Sequence, residues 1–435
     1  MTGTAEPVPL LRGAPGRPLG PAPLPGGAEG RAAAGHGQPR VLLAPVTITP
    51  GKPLTPSHLK GLFWVDVMYR ATARLADVTY RYSPTTYHPT DQTLGFWEYL
   101  DHTLGDTDYS QLSEEEIGEL YIGYRADGRR APVSALRPYL DAIEHHGWVH
   151  PSSARVLELW SAQYARLGMH DPGLTGHQPP GMTLDEVLDR LVPLGLCLDM
   201  REYGGPVYLD ATRYGLPLRQ IATAQGRPNY LACALRELVP LVPGYDEVVL
   251  LYDRELEPDY QLLQRVLSAL GPVVRRVPVG RVPIDGQIRS ARHGDWRGHS
   301  AGALLDALGA DHDGPALRLG MRLYFIATLG PGDRQSFRPE LLRQCVVRAE
   351  RMLASYGATA DAAPESADRD NAARGKADRV NAARGKASSP GTALDGFLAR
   401  QRGDHTYVDP YRLTSGLLAK HRPAPVHELL PAVFL

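Results

Sequence analysis

The chain has 435 residues, with 47 Lys and Arg against 48 Asp and Glu, 43% hydrophobic residues and 7% aromatics. That length allows about two to three domains of roughly 100–200 residues and enough apolar side chains for a sizeable core, which excludes a small stapled fold. A formal net charge of -1 excludes a protein that holds nucleic acid through a global basic field, so any polynucleotide would have to meet a local patch. Cys197, Cys233 and Cys345 stand far apart in apolar surroundings without a Cys-x-x-Cys pair. They read as small core residues of a reduced, cytoplasmic protein. No stretch reaches the ~18 apolar residues of a membrane span, and the first 38 residues lack the apolar run of a secretory signal.

In chain order, residues 1–38 are dominated by Gly, Pro and Ala, with too few large apolar side chains to offset the entropy of ordering them, and are expected to form a disordered leader. RVLLAPVTI (40–48) is nearly continuously apolar and runs into Thr49 and Pro50, the pattern of a buried parallel strand. The loop TPGKPLTPS leads into HLKGLFWVDVMYRATARLA (58–76), long and periodic enough for a helix. Residues 111–200 read mostly helical: EEEIGELYIGY, VSALRPYLDAIEHHG, SARVLELWSAQYARLG, and TLDEVLDRLVPLG with Thr183 as N-cap and Glu186 completing a capping box. DEVVLLYD (246–253) is a second buried strand, and DYQLLQRVLSALG (259–271) is an amphipathic helix closed by Gly271 at the C′ position. ADRDNAARGK (367–376) returns at once as ADRVNAARGK (377–386), a repeat too short and too polar for a solenoid, so 358–391 reads as a disordered linker. Residues 392–435 read as a short helical tail. Strands alternating with helices argue for an α/β parallel sheet, and the block at about 111–200 for a helical insertion within it.

The first site candidate is the loop between the 40–48 strand and its helix. A helix N-terminus at the carboxyl end of a parallel strand concentrates unpaired N–H groups and partial positive charge, which suits phosphates. Lys52, His58 and Lys60 would add mobile positive charge there. Two histidine groups are weaker candidates. Gly147 is expected to end the helix between His146 and His150, separating them, and Asp311-His312-Asp313 reads as a polar turn, so no metal site is read from either.

The order of residues around that loop adds specificity. TITPGKPLTPSHLKGLFWVDVMYRATARLADVTYRYS (47–83) resembles the first motif of class I aminoacyl-tRNA synthetases, and of the arginyl branch in particular. Lys52 and Pro53 match a Lys-Pro pair, Thr55-Pro56-Ser57-His58 stands where that branch has His-x-Gly-His, and Leu59-Lys60 follows. AQGRPNYLACALREL (224–238) resembles the family's Asp-Gly-x-Pro-Thr-Tyr-Leu stretch through Gly226, Pro228, Tyr230 and Leu231. GQIRSARHGD (286–295) is similar to its mobile second ATP loop through Gly286, Ser290, Arg292 and Gly294. The resemblance implies a Rossmann, HUP-type catalytic domain over 39–335 with a helical extension at 336–357.

What the resemblance implies about chemistry is carboxylate activation with ATP and Mg2+, mostly by positioning and electrostatics. Lys52 would stand in for a lysine of the mobile loop, His58 would contact ATP phosphates or ribose, and Arg292 with Ser290 would close over the triphosphate. Thr55, Ser57, Lys60 and Gly294 would complete the nucleotide site, with Thr49, Tyr230 and Ala234 at the positions of the amino-acid pocket. Four of these depart from the family's pattern, Thr49 first, in place of an Asn that helps hold the substrate's amino-acid end. Thr55 and Ser57 replace the first His and the Gly of the tetrad. Ala234 stands where the branch has the Asp that pairs with a substrate guanidinium, a loss of about 3–5 kcal/mol for an unpaired buried charge. Glu237, one turn beyond Cys233, reads as a solvated helix charge. The implied function is an ATP-dependent ligase that adenylates a carboxylic or amino acid for an amine or hydroxyl acceptor other than tRNA. The alternatives are an inactive homologue acting as a binding or regulatory protein, and an aminoacyl-tRNA-forming enzyme with minimal tRNA contacts.

Overall fold

The structure is a computed structural model that describes residues 38–288, 294, 296–310, 312, 314–360, 393–419 and 425–435. The expected leader, the repeat itself and the Asp311-His312-Asp313 turn apart from His312 lie outside those residues, except for Gln38 of the leader. In chain order β1 (Arg40–Pro45) leads through α1 (Pro56–Thr72) to β2 (Asp77–Tyr80). Six helices follow: α2 (Pro84–Tyr87), α3 (Asp91–Leu104), α4 (Glu114–Asp127), α5 (Val133–His146), α6 (Pro151–Arg166) and α7 (Leu184–Leu191). Next come β3 (Cys197–Asp199), β4 (Val207–Leu209), β5 (Arg219–Ala222) and α8 (Tyr230–Leu238), then β6 (Glu247–Asp253), α9 (Glu257–Ser268) and β7 (Val273–Val279). The chain continues through α10 (Ala301–Gly309), α11 (Gly314–Arg322), a π-helical turn at Leu323–Thr328, α12 (Pro339–Ala360), α13 (Ala393–Gln401), α14 (Pro410–Leu418) and α15 (Val426–Leu429).

An apolar run without polar alternation needs cover on both faces, and β1 has it. The sheet order is β2-β1-β6-β7, every pair parallel. Val41 and Leu43 of β1, with Val249 and Leu251 of β6, join one core with Phe63 and Val67 of α1. Leu42 and Ala44, with Val248 and Leu250, face a second core against α7, α8 and α9. The period of two along each strand thus sends alternate residues to two helical layers. β3, β4 and β5 form a separate antiparallel sheet on the second side. No helix among the described residues is long and apolar enough to cross a membrane.

The sequence expectations differ from the fold at several edges. The inserted helices begin at α2, well before residue 111, and the short strands of the second sheet number three among the described residues. Strand β7 carries Arg275, Arg276 and Pro278 at a sheet edge, which polar and Pro residues tolerate but which hides the apolar signal. Helix α9 ends at Ser268 with Ala269 as its cap, so Gly271 lies one residue beyond C′. Helices follow β7 from α10 onward rather than from residue 336, and α12 runs to Ala360, into the expected linker. The Thr183–Glu186 capping box is present, with Glu186 N–H donating to Thr183 Oγ1 at 3.2 Å.

Helix α1 is fixed to the C-terminal helices by buried charge. Asp66 is 1% exposed, and its Oδ2 accepts from Arg322 Nη2 at 2.6 Å. Its Oδ1 accepts from Arg70 Nε at 3.1 Å and from the His170 amide at 2.9 Å. Arg322, 0% exposed, also donates to the Leu167 carbonyl at 2.9 Å. Removing one partner of such a pair strands the other charge, so Asp66→Ala is expected to cost about 3–5 kcal/mol in denaturant unfolding. The double replacement Asp66→Leu with Arg322→Met is expected to cost less than the single one, because no fully buried charge is left unpaired and Arg70, partly exposed, keeps the Gly168 carbonyl.

Glu114, at the start of α4, is 3% exposed and accepts from Gln163 Nε2 at 2.7 Å and Trp160 Nε1 at 3.1 Å. Burial pushes its carboxyl up to about 7 from an ordinary 4.5. A folded value above the unfolded one gives stability that is complete below about pH 4.5, declines above it, and is gone once pH passes about 7. Stability of the wild-type chain should therefore fall relative to Glu114→Gln as pH rises from about 5 to about 7.5, which melting curves of the two proteins will show.

Candidate functional site

The chain leaves β1 and turns to β2 on one side, and leaves β6 and turns to β7 on the other. Between the carboxyl ends of β1 and β6 the order therefore reverses, and in open α/β sheets ligands enter at that crevice. A cavity of about 410 Å³ opens there, walled by the start of α1 and by the ends of β1, β6 and β7. A second cavity, about 630 Å³, lies beside it, between β5, the start of α8 and the start of α3. Val46, Lys52 and Arg281 line both, so the two adjoin.

The first turn of α1 forms one wall. Pro56 at the first helical position needs no N–H partner, and Thr55 caps the helix. Thr55 Oγ1 accepts from the His58 amide at 3.4 Å, and His58 Nδ1 accepts from the Thr55 amide at 3.1 Å, a capping box in which histidine takes the usual Glu or Gln position. An accepting Nδ1 puts the ring proton on Nε2. Burial, then the charges of Lys52 and Arg281, pushes the imidazole down to about 3. His58 on the cavity wall is thus a neutral N–H donor rather than a cation. Ser57 is committed too: its Oγ accepts from the Val282 amide at 3.0 Å and ties α1 to the segment after β7.

Cations come from elsewhere. Lys52 Nζ lies 5.5 Å from the Tyr121 ring centroid, between the two cavities. Arg281, just past β7, is bound by Asp253 at the end of β6 and by Glu255, Nη1 to Oε2, at 2.9 Å. Gly280 precedes it because a Cβ there would lie 2.6 Å from the Gly332 backbone. Gly118 lets α4 close on the loop, since a Cβ would meet Pro53 and Trp296 at 2.7 Å.

Of the residues expected at the site, Lys52, Thr55, Ser57 and His58 come together around the first cavity, while Thr49 and Tyr230 line the second. Lys60 does not reach either cavity: it is 1% exposed and donates to the Gly332 carbonyl, with burial pushing it down to about 8. Ala234 lies away from both, in a void of about 10 Å³. Gly294 has φ +82° and sits against Arg297 and Ile122, also outside both linings. Ser290 and Arg292 lie outside the described residues. Glu237 is not solvated. It is 6% exposed, pairs with Arg81, and accepts from Thr86 Oγ1 at 2.8 Å. His150 caps α6 and bonds Asp101 Oδ1 at 3.0 Å, and His312 bonds Glu350 at 2.6 Å.

Sequence reasoning missed Arg281, Arg219 and Arg227, all of which line the cavities. The signal for the first was the Arg-rich strand β7 leading into Gly280-Arg281. Arg227 stands between the matched Gly226 and Pro228 of the 224–238 stretch, and nothing local marked Arg219.

Among solved structures the chain is similar to arginyl-tRNA synthetase of Thermus thermophilus, with 16% identity, a TM-score of 0.51, and 72% of this chain and 62% of that one covered. The fold resembles the class I synthetase core. Arginyl-tRNA synthetase of Plasmodium falciparum is also similar, at 11% identity and a TM-score of 0.46, with 70% of this chain and 55% of that one covered. The sequence matches no protein-family model and no curated protein. At such identities the likeness is one of fold, and this chain spans about three-fifths of the Thermus enzyme's length (62%).

An ATP-like ligand fits the donor set of the first cavity: the His58 Nε2–H, Lys52 and Arg281 stand around the start of α1. The carboxylates there, Asp253 and Glu255, are already held by Arg281, and no group of three or more His, Cys, Asp or Glu among the described residues could hold a metal. The described residues therefore form no binding site for magnesium by themselves. The capping box gives a direct test of the histidine's state. Nitrogen NMR of the imidazoles should show His58 as the Nε2–H tautomer with no titration above about pH 4, and His58→Ala should lose about 0.5–2 kcal/mol of stability with the cap. Titration near 6.5 would instead mean a ring open to water.

Proposed function

We propose that the protein is an ATP-dependent ligase of the class I synthetase type, which adenylates a carboxylic or amino acid. The observation that supports it is the pair of adjoining cavities at the sheet's reversal point, with Lys52 and Arg281 on the boundary between them. The nucleotide is taken by the first cavity and the acid by the second. The acid's carboxylate oxygen bonds to the α-phosphorus as the bond to the pyrophosphate oxygen breaks. An acceptor amine or hydroxyl then attacks the acyl carbon, AMP leaves, and the acceptor's proton passes to solvent.

The roles follow from the geometry. Lys52 and Arg281 balance charge where it builds on the phosphates, and His58 donates from Nε2 without changing its own protonation. Magnesium, if bound together with the phosphates, would supply further charge neutralisation. Thr55 and Pro56 keep the start of α1 aimed at the crevice. For the acceptor we propose an amine or hydroxyl other than tRNA; the formal net charge of -1 favours it over a polynucleotide held through phosphates.

A second reading, a nucleotide-responsive binding protein without catalysis, is favoured by one observation: Ser57 Oγ is already taken by the Val282 amide. ATP–pyrophosphate exchange across a panel of amino and carboxylic acids, with and without tRNA, separates the two. Exchange with some acid, reduced about 100-fold or more by Lys52→Ala, is the expected result. ATP binding with no exchange would favour the binding protein, and neither binding nor exchange would overturn both. Strict tRNA dependence would overturn the proposed acceptor.

A further inference from the structure

Cations face the second cavity, while of the carboxylates that balance them Asp91 lines it, Asp259 stands outside its lining, and Asp253 and Glu255 line the first cavity. Arg219, on edge strand β5, is held by Asp259 of α9, Nε to Oδ1 at 2.8 Å and Nη2 to Oδ2 at 3.0 Å. Tyr230 donates its hydroxyl to the same Oδ2 at 2.8 Å. Asp259 is thereby committed through both oxygens, and at 7% exposure it does not line the cavity. A guanidinium bound along one edge is fixed in plane and offers its other edge. In Arg219 that side chain is half exposed and forms part of the cavity wall.

Arg227, in the turn between β5 and α8, reaches Asp91 at the start of α3, Nη1 to Oδ1 at 2.8 Å. Its Nε is buried without a hydrogen-bond partner, a donor that is costly to leave unmade. Lys52 and Arg281 complete the charged lining, and Asp91, already held by Arg227, is the one carboxylate among the described lining residues. A cationic substrate side chain entering here would meet guanidinium and ammonium groups and no uncommitted carboxylate. An anionic one would meet fixed, planar donors at low reorganisation cost.

We infer that the acid accepted by this cavity carries a second carboxylate, as aspartate and glutamate do, held by Arg219 and Arg227. This rests on the ligase reading for its reaction, but the recognition stands on the cavity alone. The carboxylate to be activated is left facing the Lys52 and Arg281 boundary, next to the nucleotide cavity.

The test is ATP–pyrophosphate exchange by the full chain with aspartate, glutamate, their isosteric amides asparagine and glutamine, and lysine and arginine. One dicarboxylate is expected to exceed its amide by about 100-fold or more in kcat/KM, because the amide leaves guanidinium donors facing an NH2 group. That preference should vanish in Arg219→Gln and Arg227→Gln while ATP affinity, read by calorimetry, stays unchanged. Arg219→Gln combined with Asp259→Asn keeps a neutral hydrogen-bonded pair, so a folding defect cannot pass for lost recognition. Exchange no better with a dicarboxylate than with its amide, or best with lysine or arginine, overturns the inference and leaves adenylation standing. If no acid supports exchange, calorimetry of the dicarboxylates against protein loaded with a non-hydrolysable ATP analogue decides. Binding that Arg219→Gln abolishes supports the anionic pocket and removes the ligase reading, and no binding overturns the inference.

Discussion

Everything at the crevice depends on where α1 is held, and the buried pair of Asp66 and Arg322 holds it. With both charges out of water, any roll or slide of α1 against α11 would leave an ion uncompensated in the interior, which costs far more than a surface contact does. The three donors that converge on Asp66, from Arg322, Arg70 and the His170 amide, come from different elements, so one carboxylate locks α1 to two other parts of the chain. Apolar packing alone, being non-directional, would tolerate small shifts. Specific charge pairing does not. The consequence is felt at the other end of the same helix, where Thr55, Ser57 and His58 must stand within hydrogen-bonding tolerance of whatever enters the crevice.

At that end the polar groups are fixed by the chain itself. His58 turns Nδ1 inward to cap the helix, and that choice leaves Nε2–H as its outward function. The capping box is therefore also a tautomer switch held in one position. Arg281 is set by Asp253 and Glu255, so the loop after β7 is tied to the end of β6. Lys52 rests over Tyr121, a contact worth about 0.5–2 kcal/mol and one that keeps an ammonium partly out of water. Less water around a cation means a stronger field on an incoming phosphate. Preorganisation of this kind spends the ordering cost during folding rather than during binding.

The parts of the fold legible in the sequence were those governed by local rules. β1 and β6 announce themselves as unbroken apolar runs, and α7 by Thr183 and Glu186, because burial on two faces and end-capping are written in consecutive residues. β7 is not legible in that way, since this edge strand carries Arg275, Arg276 and Pro278. Lys60 and Glu237 show the stronger limit. Both sit on helices whose spacing does not reveal which neighbour covers a charged side chain, and both are buried by elements far away in sequence, at Gly332 and Arg81. The resemblance carried by 47–83 did bring Lys52, Thr55, Ser57 and His58 to one cavity, because those residues lie within a single strand-loop-helix unit. Arg219 and Arg227 also share a strand-turn-helix unit, β5 to α8, but their role shows only once α3, α9 and the β1–α1 loop pack around it.

The small residue at Ala234 gains its meaning from the same long-range packing. The void beside it, about 10 Å³, has room for roughly one water at most. Its walls include Arg81, Tyr87 and Glu237, so a guanidinium does sit against a carboxylate of α8, but it is the chain's own. A ligand cation could reach Glu237 only by displacing Arg81 and stranding it, and the energetic balance of such an exchange is unfavourable. Helix α8 thus meets two unlike cavities along one side, a turn apart. Tyr230 turns to an open cavity lined by cations, while Ala234 turns to a closed one already filled by a cation from β2's end. Selection of a ligand side chain by α8 can therefore act through its first turn, at Tyr230, where the cavity is open.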